Sequence, residues 1–196
     1  IICIFLLMFL LIQTFFFIFF RDSKLISKQN PLLFQIRVIA SEYLWNKIDF
    51  YHHMWEFSGK APFYETGKIY LVRFITRLNP KFTRAYALGS YFLYKHLNRK
   101  EAGRRFLIEG LTENPESYEL WRELTFYNFF INKDKKRSYS SGKKAFKLMN
   151  IDNISNDDII FLRILAVSSF EVGQYKDSLN LYNLLSNYVG LNKNDK

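Results

Sequence analysis

His52, His53 and Glu56 come closest in this chain to a constellation that could do chemistry. Residues four apart share a helix face, so His52 and Glu56 could together offer a nitrogen and an oxygen to a divalent metal. A stable site needs a third and a fourth ligand, and His96 is the only other histidine. Packed or solvated histidines account for the pattern better, and no metal is expected. Cys3 is the sole cysteine and lies in an apolar run, which excludes an intrachain disulfide and a cysteine-based metal site; it reads as a small hydrophobe. The sequence contains no glycine-rich phosphate loop, no glycine-flanked serine and no HExxH helix. The expectation is a protein that is not an enzyme, with no cofactor and no small-molecule substrate.

What remains is charge and aromatic surface. Lys133 to Lys147 holds seven basic residues and one acid, so this segment carries +6 of the net +10. Lys136, Lys143 and Lys147 fall on one helical face, with Lys144 beside them. Such a patch is either a solvated outer face or a contact for anionic lipid headgroups or an acidic partner, where each basic group contributes ~1 kcal/mol. Nucleic acid is not an expected partner. The aromatic share of 19% is high, although Phe, Tyr, Ile, Asn and Lys all have AT-rich codons and a low-GC genome produces this composition unaided.

The elements that would position these residues begin with an apolar run. Residues 1–20 contain no charge, and only Gln13 and Thr14 are polar. At 1.5 Å per residue, twenty helical residues reach ~30 Å, the depth of a bilayer's hydrocarbon core. Residues 1–28 are therefore expected to form a retained single-pass membrane helix, since a cleaved signal has a shorter apolar centre and a small-residue cleavage site. Arg21, Lys24 and Lys28 would by themselves keep the downstream side in the cytoplasm. An amino end processed to Ile1 would instead place the following domain outside the cytoplasm or on the cell surface. Asn30-Pro31 then opens a new helix, expected as one long capping helix over residues 31–58.

Residues 59–192 carry a period. Asn79-Pro80 and Asn114-Pro115 lie 35 residues apart, and Asn150 follows Asn114 by 36. Between these marks the apolar residues fall at helical spacing in two runs, as in Tyr86, Leu88 and Phe92 followed by Ala102, Phe106, Leu107 and Leu111. A repeat of this length built from two helices is a hairpin array. The fold class is all-α: the amino-terminal apolar helix followed by an α-solenoid of antiparallel helix pairs, with residues 193–196 as a tail.

Gly173, Tyr175, Ser178, Tyr182 and Leu185, with Leu162, Leu165 and Ala166 before them, place small residues where helices cross and aromatics beside them. This pattern resembles the tetratricopeptide repeat, with no insertion over residues 159–192. Ala85, Leu88, Gly89, Phe92, Ala102, Phe106 and Pro115 resemble a second copy with a small insertion. Trp121, Leu124, Ser138, Gly142 and Ala145 resemble a third, also stretched, and a degenerate copy precedes them from about Asp49 to Pro80. The resemblance implies a superhelix whose inner groove binds proteins or peptides. Tyr86, Tyr94, Arg122, Phe126 and Arg163 would line that groove. Some members hold a peptide carboxylate with Lys, Arg and Asn, but Phe126 and Val167 stand where the asparagines would be.

The last helix shows two apolar stripes. Leu179, Tyr182 and Val189 are expected to face the preceding helix, and Leu181, Leu184, Leu185 and Tyr188 to be open to another chain or another copy. The function expected from all of this is a membrane-anchored scaffold for protein–protein interaction and assembly. The alternative is a pilin-like filament subunit whose core is the apolar helix, although Phe5 stands where that family carries Glu.

Overall fold

The computed structural model describes residues 13–14, 31–56, 63–151 and 153–194, with side-chain burial defined over 13–14, 31–48, 67–151 and 153–188. The described residues form eight α-helices and no strand: α1 Pro31–Glu56, α2 Phe63–Leu78, α3 Thr83–Tyr91, α4 Lys100–Glu113, α5 Tyr118–Phe126, α6 Lys135–Leu148, α7 Asn156–Glu171 and α8 Tyr175–Asn194. Helices α3 and α5 each run on into one π-helical segment, Phe92–His96 and Tyr127–Ile131. The all-α class is thus observed, and consecutive helices pack in a manner compatible with a helical repeat. The expected membrane helix lies outside the described residues except at Gln13 and Thr14. Among the described residues no helix is long and apolar enough to cross a membrane.

The chain divides into two compact units, Ile1–Leu97 and Asn98–Lys196. In the first, α1 packs on α2, and α2 packs on α3 and its π segment. Val72, Ile75 and Leu78 bury one face of α2, and Trp45 of α1 meets Phe82 with ring centroids 5.3 Å apart. Arg37 is buried, and its guanidinium donates to the Arg77 carbonyl. The last carbonyls of a helix lack intrahelical donors and carry partial negative charge, so a cation there ties α1 to the end of α2. His52, His53 and Glu56 lie on the last turns of α1, and their side chains are outside the described set.

In the second unit α5 and α6 pair, α7 and α8 pair, and α6 and α5 both pack on α7. Local sequence sets the helix starts. The side chains of Ser117, Asp134 and Ser155 accept from the backbone N–H groups of Leu120, Arg137 and Asp158, which are otherwise orphaned at a helix start. Asn79-Pro80, Asn114-Pro115 and Asn150 all fall between helices, and Trp121 Nε1 donates to the Pro115 carbonyl at 2.8 Å. The core is built from Ala145, Phe161, Leu162, Leu165, Leu181 and Leu185 among others.

The face of α6 turned toward its neighbours is made of small residues: Ser138, Ser141, Gly142 and Ala145 are all buried. Hydroxyls stitch the close approach. Ser138 and Ser168 are 2.9 Å apart, Thr125 donates to Ser141 at 3.1 Å, and Ser178 donates to the Ala166 carbonyl at 2.9 Å. A Cβ on Gly142 would stand 2.7 Å from Leu165 Cδ1 and 3.2 Å from Thr125 Cγ2, so these side chains must shift to admit it and the two further methyls of a valine crowd them more. Gly142→Val is therefore expected to lower stability by about 2 kcal/mol through overpacking, measured as a shift of the urea midpoint.

The π segments take up a one-residue difference in spacing between helix pairs. Seventeen residues separate Tyr86 from Gly103 and Trp121 from Ser138, but sixteen separate Leu162 from Ser178. The extra residue is taken up where Leu97 N–H reaches back to Phe92 and Asn132 N–H to Tyr127, five residues each. A π segment is a one-residue insertion absorbed within a helix. Helix α7 has no such segment. It closes instead on Gly173, whose φ of +77° suits glycine, with Gly173 N–H bonded to Phe170 and Gln174 N–H to Ser169. Gly173 thus serves the turn and not a helix crossing, as its place in the repeat pattern had suggested.

Candidate protein-binding surfaces

A polar cluster joins α5 to α7. Ser155 and Asp158 form a capping box at the start of α7. The second oxygen of Asp158 accepts from Tyr118 Oη at 2.5 Å and from Arg122 Nη1 at 3.3 Å. The Arg122 guanidinium also lies over the Tyr118 ring at 5.5 Å and 4.0 Å from Asp157. Burial, then the bond to Asp158, push the Tyr118 phenol well above its ordinary range. Burial pulls the Asp158 carboxyl upward, but the hydrogen bonds from Tyr118 and Ser155 together with the Arg122 charge outweigh it and hold the group below its ordinary value.

This cluster places Arg122. Arg122 is mostly buried as an internal tie between two helices, with its Nε enclosed and without a hydrogen bond. Phe126 is half-buried against Phe161 at 6.5 Å. Arg163 is exposed on α7. Tyr86 and Tyr94, expected beside them in a groove, are core residues of the first unit; their spacing put them on the apolar side of α3 and its π segment, where burial wins. The exposed members of the α5–α7 face are instead Phe130, Ile160 and Phe170, each about half exposed or more. Phe129 packs edge-on to Phe130 at 5.0 Å and carries Lys135 over its ring at 3.2 Å.

Lys136, Lys143, Lys144 and Lys147 are all exposed on α6. Lys143 is engaged: its ammonium lies 3.5 Å from Asp177 and donates to Tyr139 Oη at 3.2 Å, while Tyr139 donates to Asp177 at 2.6 Å. The Tyr139 hydrogen bond, aided by the Lys143 charge, holds the Asp177 carboxyl below its ordinary value. Lys144 sits 4.3 Å from the Trp121 ring.

The last helix corrects the expectation about its two stripes. Leu181 and Leu185 are 5% and 6% exposed within the chain's own core, and Leu184 packs partly against it. Tyr188 is half-buried, its hydroxyl donating to the carbonyl of the exposed Ile151. Leu179 and Tyr182, expected to face α7, are 61% and 46% exposed. Tyr175 likewise stands on Phe170 at 5.4 Å, largely exposed. The reason is Ser178. Its buried hydroxyl bonds to α7, and residues three and seven further along share its face.

The sequence reading missed Asp158 and Tyr118. Their signal was present as S-x-x-D at Ser155–Asp158, followed by an apolar run. Comparison with models of known protein families gives no match, and comparison with curated protein sequences gives none.

Proposed function

We propose that this chain is a membrane-tethered interaction protein, an array of tetratricopeptide-like helical hairpins that gathers other proteins into an assembly. The observation that carries the reading is the α5–α7 face, where Phe130, in the π segment after α5, and Ile160 and Phe170, both on α7, are exposed together with Arg163. Bulky apolar residues clustered on a surface mark contact sites, and aromatics with arginine are the residue types enriched there. The tetratricopeptide likeness supports it further. The sequence period departs from the family's by one residue, and the π segments accommodate that residue without disturbing the pairing of α5 with α6. The tether rests on the composition of residues 1–20, which suits a bilayer.

The test is a photo-reactive residue at Ile160 in the full chain, expressed in its native cells, with adducts purified under denaturing conditions. The expected result is a distinct adduct to another protein that disappears in the Phe170→Asp background, with the chain left in the membrane pellet after alkaline carbonate. Adducts confined to copies of this chain would turn the reading toward the filament subunit. Adducts indifferent to Phe170→Asp would remove this face from it.

A further inference from the structure

We propose that the surface of α6 and α8, away from the face described above, holds an acidic peptide segment of a partner protein, anchored by one aromatic side chain. The anchor site is a cavity of about 220 Å³ between α6, α7 and α8. An apolar hole of ~150 Å³ already admits benzene, whereas whole small-molecule ligands occupy ~300–1,000 Å³. The cavity therefore fits one large side chain. Its floor is apolar, from Phe146, Leu165 and Leu181, and Lys143, Lys147 and Asn180 stand at its mouth. Asp177 also lines it, but that carboxylate is already taken by Tyr139 and Lys143. Lys147 forms no ion pair with any described residue and remains available to an acid beside the anchor.

Repetition strengthens the assignment. On the other side of α6 a furrow of about 380 Å³ is lined by Arg104, Ile108, Trp121 and Arg137, among others. Arg104 and Ile108 precede Tyr139 and Lys143 by 35 residues, and Arg137, Ser140 and Ser141 precede Asp177, Asn180 and Leu181 by 40. The two depressions are thus the same place in successive hairpins. They flank the most basic helix of the chain, with Lys144 held over Trp121 between them. Packed helices lie ~8–10 Å apart, a span that about three extended residues cover. An acidic segment crossing α6 can seat its anchor in the cavity while its carboxylates meet Lys147 and Lys144 and its chain reaches Arg104 and Arg137. A lipid surface would supply anions but no side chain for the cavity.

The probe is a fluorescent ten-residue peptide of Asp and Glu around one central Phe, titrated against the full chain in neutral detergent. Replacing the peptide's Phe with Gly should weaken binding about tenfold or more, the effect of withdrawing a buried aromatic. Lys147→Glu should weaken it about fivefold, as loss of a rim charge does. Asn180→Trp, which covers the mouth, should make the Phe and Gly peptides bind alike. Both variants alter exposed side chains, and the peptide substitution does not touch the protein at all. Equal binding of the two peptides to the unaltered chain would reduce the site to a plain basic surface and overturn the proposal. Binding to phosphatidylserine vesicles that Lys147→Glu weakens, with no binding of the peptide, would assign the lysines to lipid and overturn it also.

Discussion

Asp158→Ala is expected to lower the stability of the second unit by about 3 kcal/mol, the magnitude found when one partner of a buried charge pair is removed. Three losses combine at one side chain. The capping box at the start of α7 disappears, the Tyr118 hydroxyl loses its acceptor, and the mostly buried Arg122 guanidinium loses its nearest counter-charge. An orphaned buried charge costs more than the intact pair contributed, which is why the effect exceeds that of an ordinary hydrogen bond. Asp157→Ala is the control, because that carboxylate is 72% exposed and 4.0 Å from Arg122; a change within ~0.5 kcal/mol is expected. Urea titration followed by circular dichroism measures both, and equal effects of the two substitutions would sink the account.

The same cluster sets pH dependence at both ends. Asp158 has a folded-state pKa below its ordinary 3.8, so its contribution is present above that value and is lost as the pH falls through the folded-state value. Tyr118 is raised above its ordinary 10.0, so its contribution is full below pH 10 and is lost as the pH rises through the folded-state value. Asp158→Asn should flatten the acid limb, and Tyr118→Phe should flatten the alkaline limb.

Leu181→Ala is expected to cost about 3 kcal/mol, while Leu179→Ala, two residues away, changes stability by no more than ~0.5 kcal/mol. The first removes a side chain from the cluster that holds Phe161, Leu165 and Ala145, leaving a cavity that the helix pair cannot close. The second removes a side chain already 61% exposed. Thermal melts of the two variants decide between the observed orientation of α8 and the opposite one. Equal losses, or a larger loss for Leu179, would show that the helix is rotated.

That pair of residues also marks where the sequence stopped being legible. Helix existence and class were readable, because apolar spacing and Asn-Pro punctuation are local signals, and α1 begins at Pro31 as that dipeptide indicates. The orientation of α8 was not, since both of its stripes are apolar and hydrophobicity alone cannot choose between them. Repeat equivalence could have chosen: Ser178, Leu181 and Leu185 stand 40 residues after Ser138, Ser141 and Ala145, the buried face of α6. Tyr86 and Tyr94 went astray for a related reason, as an aromatic at a repeat position suits a core as well as a groove. The tie from Asp158 to Tyr118 spans 40 residues and depends on how two hairpins stack, which no local pattern encodes. The α6 lysines were readable as exposed, because a run of like charges has nowhere else to go.

The π segments after α3 and α5 have a consequence for how such a chain can vary. A one-residue insertion in an ordinary helix rotates everything beyond it by about 100°, since the helix makes a full turn in 3.6 residues, and would turn buried side chains outward. Confined to a single widened turn at the end of the helix, the same insertion leaves the earlier turns untouched and is finished before the next helix starts. Repeat length is thereby uncoupled from repeat packing. Helix α5 carries such a segment and α7 does not, so seventeen residues from Trp121 to Ser138 and sixteen from Leu162 to Ser178 both end on a buried serine of the second helix, and the slack sits at a loop-proximal position where a lineage can gain or lose a residue without rewriting its core.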